Sequence, residues 1–169
     1  MAMYLDVKNP PIVGESKSTN PNWSNKIEVD SMRWDVSQAT SQQRGKGLVS
    51  SGARVGQLSI TKTMDQSTPV LWYHLAAGIP IDQMILRVNK PGAKGGAYGG
   101  LFEGETKDFQ NVIVSSYQTS GAAGAGGLPM EHWTFSFTRV KLTTQDVDPQ
   151  GNLLPAKTKG FDFGLGSPM

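Results

Sequence analysis

A small antiparallel β-barrel carrying one short α-helix is the fold this sequence predicts. Apolar residues alternate with period two in several separate runs, and two of those runs change phase midway. One stretch alone has the start, stop and spacing of a helix. The first strand is expected over residues 4–8, before Pro10-Pro11 breaks the alternation. In 26–38 the apolar parity changes: Ile27 and Val29 are odd, whereas Met32, Trp34 and Val36 are even. A bend near Asp30 and Ser31 lets both sets face one core, as strands do at barrel corners. In 57–64, Leu58, Ile60 and Met64 share one face and Gln57, Ser59, Thr61 and Thr63 the other, the pattern of a half-buried strand.

The helix is expected over 69–77. Ser67 or Thr68 is placed to cap its first amides, Pro69 suits the first helical position, and Gly78 supplies a left-handed stop. So short a helix is marginal alone, so Leu71 and Leu75, with Trp72 or Val70 beside them, are expected to dock on the sheet and plug one end of the barrel. Strands follow at 83–89 and 112–119. The run 132–144 places Trp133, Phe135 and Phe137 on one parity and Val140 and Leu142 on the other, a second phase change that suits a closed, strongly curled sheet. A last strand at 158–163 is expected to form a hairpin with it across Asp148-Pro149-Gln150-Gly151, which fits a type I turn. Two polar segments, 12–25 and 42–56, and two glycine-rich ones, 92–104 and 121–127, read as loops, mobile unless a partner holds them.

Composition narrows the function classes. The 169 residues suit one domain, 1–169, and 20 Gly with 10 Pro imply many turns and few long helices. With no Cys, a disulfide, a thiolate metal site and a Cys nucleophile are excluded. The net charge of +2 comes from 16 basic and 14 acidic residues scattered along the chain rather than from a basic stripe, which argues against nucleic-acid binding. The start lacks the basic and continuously apolar pattern of a signal peptide, and no apolar run approaches membrane-spanning length. A product made in the cytoplasm without membrane insertion is expected, exported if at all by a route that reads no amino-terminal signal.

Candidate chemistry is sparse. His74 and His132 lack any local zinc-site spacing, so packing or exposure is the better reading of both. Ser115 and Ser116 lie in a strand pattern and not in a nucleophile elbow. Gly45-Lys46-Gly47 and Gly95-Gly96 lack the Lys-Ser or Lys-Thr that completes a phosphate loop. Glu103, Glu105 and Asp108 form a local acidic cluster better read as a solvated face than as an acid–base pair or cation site. Trp133, Phe135 and Phe137 are expected in the core rather than on a stacking platform. No catalytic residue, metal or cofactor is assigned.

A set of short motifs in a fixed order carries a resemblance. Gly14-Glu15-Ser16, Ile27-Glu28-Val29, Trp34-Asp35-Val36-Ser37-Gln38, Ser59-Ile60-Thr61-Lys62, the Ser67-Thr68-Pro69 helix start, Val112-Ile113-Val114-Ser115-Ser116 and Lys159-Gly160-Phe161-Asp162-Phe163 together resemble the haemolysin-coregulated protein (Hcp) family. The resemblance implies a structural subunit of the bacterial type VI secretion system. In that family six-membered rings stack into a hollow tube, capped by a spike protein, propelled by a contractile sheath, exported with the spike and able to hold effector proteins in the lumen. It implies Arg33, Asp35, Ser115 and Ser116 as candidates for the lumen wall. The loops holding Gly14, Glu15 and Ser16, and Arg44, Lys46 and Arg54, would reach adjoining subunits. The chain departs from the family pattern at 99–104, at Asp108-Phe109-Gln110-Asn111 and in the 121–127 loop. Some relatives carry a toxin domain after the barrel, for which a chain ending at Met169 leaves no room. Two alternatives stay open: a tail-tube protein of a contractile phage or phage-derived particle, and a secreted β-barrel hydrolase or sugar-binding module using Glu103, Glu105 and His132.

Overall fold

The alternating runs form strands that close on one another. The computed structural model describes residues 1–95, 98–124 and 126–169, so Gly96 of the Gly95-Gly96 pair lies outside the described residues, as do Ala97 and Ala125 of the glycine-rich loops. In chain order the elements are β1 (Met3–Val7), β2 (Ile27–Val29), β3 (Ser31–Arg33), β4 (Val36–Gln43), β5 (Gly47–Val55), β6 (Leu58–Thr63), α1 (Thr68–Ala77), β7 (Ile81–Lys90), β8 (Phe102–Ser120), β9 (Met130–Ser136), β10 (Arg139–Thr144), β11 (Lys157–Asp162) and β12 (Ser167–Pro168). All pairings are antiparallel. β2 pairs with β1, β1 with β7, β7 with the first half of β8, the second half of β8 with β9, β9 with β6, and β6 with β3. The Asp30 N–H donates to Thr61 O at 2.9 Å and carries the circuit back from β6 to β2. β10, β11 and β12 widen the sheet outward from the first half of β8.

Each phase change in the sequence is a corner of this barrel. Asp30 separates β2 from β3, so that Ile27 and Val29 are buried and Met32 and Trp34 still pack against the same core. Residues 137–138 separate β9 from β10, which lie in different halves of the sheet. A third corner falls inside β8 at Asn111, whose φ is 55°; its side-chain amide donates to Thr138 Oγ1 at 3.1 Å, tying two corners together. Leu5, Ile27, Leu58, Leu71, Phe109, Trp133 and Phe135 are fully buried, each contributing about 1.5–3 kcal/mol of apolar burial. Trp34, Phe109 and Phe137 form a mutual aromatic cluster with centroids 4.6 to 5.8 Å apart. Trp133, Phe135 and Phe137 are therefore core, as expected.

Several expectations are corrected. The polar segment 42–56 is not a loop: β4 and β5 pair as a hairpin from Val36↔Val55 to Gln43↔Gly47, because backbone pairing needs no apolar side chains and Gly45 and Gly47, both at positive φ, make the tight turn. Val36 consequently starts an exposed ribbon instead of facing the core. β8 begins at Phe102, ten residues before the expected 112, so the end of the 92–104 segment is strand; Phe102 is buried and Gly104 lies against the Lys90 side chain. The helix docks with Leu71 and His74 buried and Leu75 partly so, whereas Val70, Trp72 and Tyr73 are exposed. Gly78 stops it at φ 66°, but Ser67 makes no side-chain cap and its hydroxyl donates to Asp65 Oδ1 instead. Beyond the corner Leu142 is part exposed while Val140 is buried.

The inward face of β6 holds Leu58, Ile60 and Lys62, while Met64, expected there, is exposed. Lys62 is fully buried and its ammonium meets Glu131 Oε1 at 2.8 Å, Asp65 Oδ1 at 3.0 Å and Thr68 Oγ1 at 3.3 Å. Glu131 also accepts from Thr68 Oγ1 at 2.9 Å and from the Trp133 indole at 3.1 Å. A buried charge persists only when paired and hydrogen-bonded, and these bonds fasten β6, β9 and the helix start to one point. Replacing Lys62 with Met strands the Glu131 carboxylate, so K62M is expected to lose roughly 3–5 kcal/mol of unfolding free energy. The double variant K62M/E131L is expected to recover part of the loss, and urea denaturation of wild type and both variants measures it.

Candidate assembly and lumen surfaces

The outward face of β3, β6, β9 and β8 is a polar wall. Register places Arg33 opposite Ser59, Ser59 opposite Thr134, and Thr134 opposite Ser116, one row across four strands. The next row is Ser31, Thr61, His132 and Gln118. The pairing shifts between Val114 and Ser116, so Ser115 sits at a bulge and both serine hydroxyls reach Thr134 Oγ1, Ser115 at 2.9 Å. Gln57 continues the wall by donating to Ser136 Oγ at 2.9 Å. Arg33, Ser115 and Ser116 are thus brought onto one surface. Asp35 is not part of the row: its carbonyl accepts the Gly56 N–H at 2.8 Å, and its carboxylate lies where a Cβ on Gly56 would stand, at the root of the β4–β5 arm.

The arm is the most exposed element of the molecule. Every residue of β4 is exposed, and in β5 only Val49 and Val55 are half-buried. Arg44 and Lys46 lie at its tip and Arg54 near its root, and residues 36–55 contain no acidic side chain. None of the three cations forms an ion pair among the described residues.

The 12–25 segment has no regular strand or helix, as expected, but the fold holds it. Gly14 N–H donates to Asn25 O, Ser16 N–H to Lys26 O and Asn25 N–H to Ser16 O, at 2.9 to 3.1 Å. Gly14 is required there, since a Cβ would stand 2.4 Å from the Lys26 carbonyl oxygen. Gly14 and Ser16 are buried and Glu15 between them is exposed. Trp23 is buried and stacks on Tyr4 at 5.9 Å. Beneath it, buried Asp6 accepts Lys26 Nζ at 2.9 Å and Arg87 Nη2 at 2.9 Å, and Arg87 Nη1 reaches Glu103 at 2.7 Å.

Desolvation raises the Asp6 pKa, but hydrogen bonds and charge from Lys26 and Arg87 outweigh it and hold the carboxyl below its ordinary value. For Arg87, burial lowers and Glu103 and Asp6 raise, with the carboxylates prevailing. A carboxyl depressed in the folded state adds stability that is present above its unfolded value and is lost as pH falls through its folded value. Asp6→Asn is therefore expected to cost about 2 kcal/mol at neutral pH and to flatten the acid limb of the stability–pH curve, read by thermal melts from pH 7 down to pH 2.

The residues singled out for chemistry do not converge. Glu103 is engaged by Arg87 and Glu105 by Lys107, in the first half of β8. His132 lies on β9 opposite Gln118, thirteen residues further along β8 than Glu105. His74 is buried, its Nδ1 3.3 Å from Ile79 O. Asp108 accepts from Gln83 at 2.9 Å. Among the described residues no group of three or more His, Asp or Glu is arranged to hold a metal ion, and no helix is long and apolar enough to cross a membrane. The structural residue that sequence reasoning missed is Lys62; its signal was an opposite-charge pair, Lys62 and Glu131, at inward parity on two strands.

The described residues thus form a closed barrel with a polar wall on one side and an exposed two-stranded ribbon. The family described as "Type VI secretion system effector, Hcp" matches residues 4–143. The chain belongs to the Hcp family. Among solved structures it is similar to a type six secretion system protein, at TM-score 0.84 and 24% identity over 99% of both chains. It is also similar to Hcp1 from Salmonella typhimurium, at TM-score 0.74 and 26% identity over 99% of this chain and 98% of that one. A type VI secretion system effector from Yersinia pestis follows, at TM-score 0.64 and 23% identity over 95% and 98%. No curated protein sequence matches at a significant level.

Proposed function

We propose that this chain is the tube subunit of a type VI secretion system, a single domain over 1–169 that forms six-membered rings which stack into a hollow, exported tube. The observation that carries this reading is the β4–β5 ribbon: two strands without a packed face are marginal on their own, so the arm calls for a neighbour to cover it. Membership of the Hcp family supports the same conclusion. The exposed Val70, Trp72 and Tyr73 on the outer side of the helix fit a contact with another subunit, since clustered large apolar side chains on a surface mark interfaces. The four-stranded wall with Arg33, Ser115 and Ser116 is the lumen side. Its hydroxyls and amides hydrogen-bond to passing protein without holding it by strong charge, and Arg33 is the principal fixed charge. Asp35, Arg44, Lys46 and Arg54 belong to the arm and its root, and Glu15 is the exposed member of the 12–25 loop. The subunit is made in the cytoplasm, works as a structural protein and not as an enzyme, and leaves the cell with the spike, sheath contraction supplying the force. Secretion of this kind serves effector delivery and virulence.

Mass photometry and negative-stain microscopy of the purified protein test this, with six-fold rings expected; a monomer at high concentration with no ring in any field overturns it. Arg33→Glu is expected to leave ring mass unchanged and to alter co-purification of lumen effectors at least several-fold. Quantitative mass spectrometry of ring-bound proteins reads the change, and an unchanged effector profile removes Arg33 from the wall.

A further inference from the structure

One imidazole stands on the polar wall. Of the two in the chain, His74 is buried on the helix with Nδ1 against Ile79 O, whereas His132 is half-buried on β9, with Thr61 of β6 opposite it on one side and Gln118 of β8 on the other. A hollow of about 220 Å³ opens in front of it, bordered by Thr61, Gln118, Ser120 and Met130. Glu131 borders it too, but turns its carboxylate inward to Lys62, Thr68 and Trp133. The Thr61 hydroxyl is taken up by Ser31 Oγ, and His132 forms no ion pair among the described residues. Charges around it are balanced. On β8 and in the loop after it, residues 112–130 hold no Asp, Glu, Lys, Arg or His. Lys62 on β6 and Glu131 on β9 lie at the opposite parity and close on each other inside the barrel. Among the described residues, the charges that share this face with His132 are Arg33 on β3 and Asp30 at the corner, where Asp30 accepts from Thr63 Oγ1 at 3.3 Å. Both lie across β6 from His132, two strand spacings or about 10 Å away. They carry opposite signs, so the state of His132 decides the net charge of the patch. Imidazole is the side chain whose charge changes between pH 8 and pH 5.

We propose that His132 is a specificity-determining residue of the wall: protonated, it holds acidic segments of a cargo protein by their carboxylates, and neutral, it lets them go. This rests on the lumen reading above and adds to it a chemical class of cargo and its regulation by proton concentration. The sign follows from the imidazole. Acidic cargo binds more tightly as pH falls and less tightly as pH rises, while a segment without carboxylates is indifferent. The Gln118 amide and Ser120 hydroxyl stand beside the hollow as neutral donors in either state, so protonation raises an affinity that is already present. In a six-membered ring the same group recurs around one bore, and a flexible acidic segment that reaches two of them gains further by effective concentration.

Rhodamine-labelled hexa-aspartate is the probe, because its carboxylates stay ionised from pH 8 to pH 5. Fluorescence anisotropy on wild-type rings at low salt is expected to show binding at least about threefold tighter at pH 5 than at pH 8, with hexa-asparagine weak and equal at both. H132Q is expected to bind hexa-aspartate at both pH values as wild type does at pH 8, and H132K at both as wild type does at pH 5, with ring mass unchanged. Independently, in unmutated protein carrying isotope-labelled histidine, hexa-aspartate is expected to shift the imidazole NMR signal of His132 and to leave that of His74 in place. A pH dependence that survives in H132Q, H132K no tighter than H132Q at pH 8, hexa-asparagine equal to hexa-aspartate at pH 5, or an unmoved His132 signal each overturns the proposal. Hexa-aspartate fixed to a bulky dextran is expected to lose binding, since the carrier keeps it out of the bore. The same His132-dependent binding with the dextran attached overturns the lumen reading instead, and a wild-type protein that forms no rings overturns the tube reading.

Discussion

Everything in this molecule hangs on β8, one strand that belongs to two halves of the barrel. Its first half is paired on both edges, to β7 and β10, and its second half to β9. A nineteen-residue strand cannot stay straight while its inward residues face one core, because strand twist carries the side chains off the core side within a few pairs. The turn at Asn111, with its left-handed backbone and its amide bonded to Thr138, resets the direction, so that Phe109 and Val112 on either side of it are both buried. The corners at Asp30 and at 137–138 answer the same demand in neighbouring strands.

Charge is used in two ways. Inside, Lys62 with Glu131 and Asp65, and Asp6 with Lys26 and Arg87, pair fully and fasten the helix start and the 12–25 segment to the barrel. A buried ion pair of this kind adds little net stability against an apolar equivalent but strongly penalises arrangements in which one partner is left alone. Outside, Arg44, Lys46 and Arg54 on the arm form no ion pair among the described residues. In the row from Arg33 across to Ser116, Arg33 is the one charged side chain.

Barrel architecture and the corners at Asp30 and after Phe137 were legible because an inward residue must be apolar, and a change of parity in Ile27, Val29, Met32 and Trp34 can be satisfied only by a bend. Family membership was legible from ordered short motifs. The arm was not, since Gln42, Gln43 and Lys46 offer no apolar alternation and a ribbon exposed on both faces leaves no such signature. Lys62 was passed over because inward parity was read for apolar residues alone.

Local sequence by itself determined the strands with a buried face, the helix with its stop at Gly78 and the turn at Asp148–Gly151, because alternation, φ preference and capping act over a few neighbours. Only the tertiary structure decided which strands pair and that Arg33, Ser59, Thr134 and Ser116 share a row. Those relations depend on register between segments as far apart as Met3 and Val88, which closing the barrel settles and no local pattern encodes.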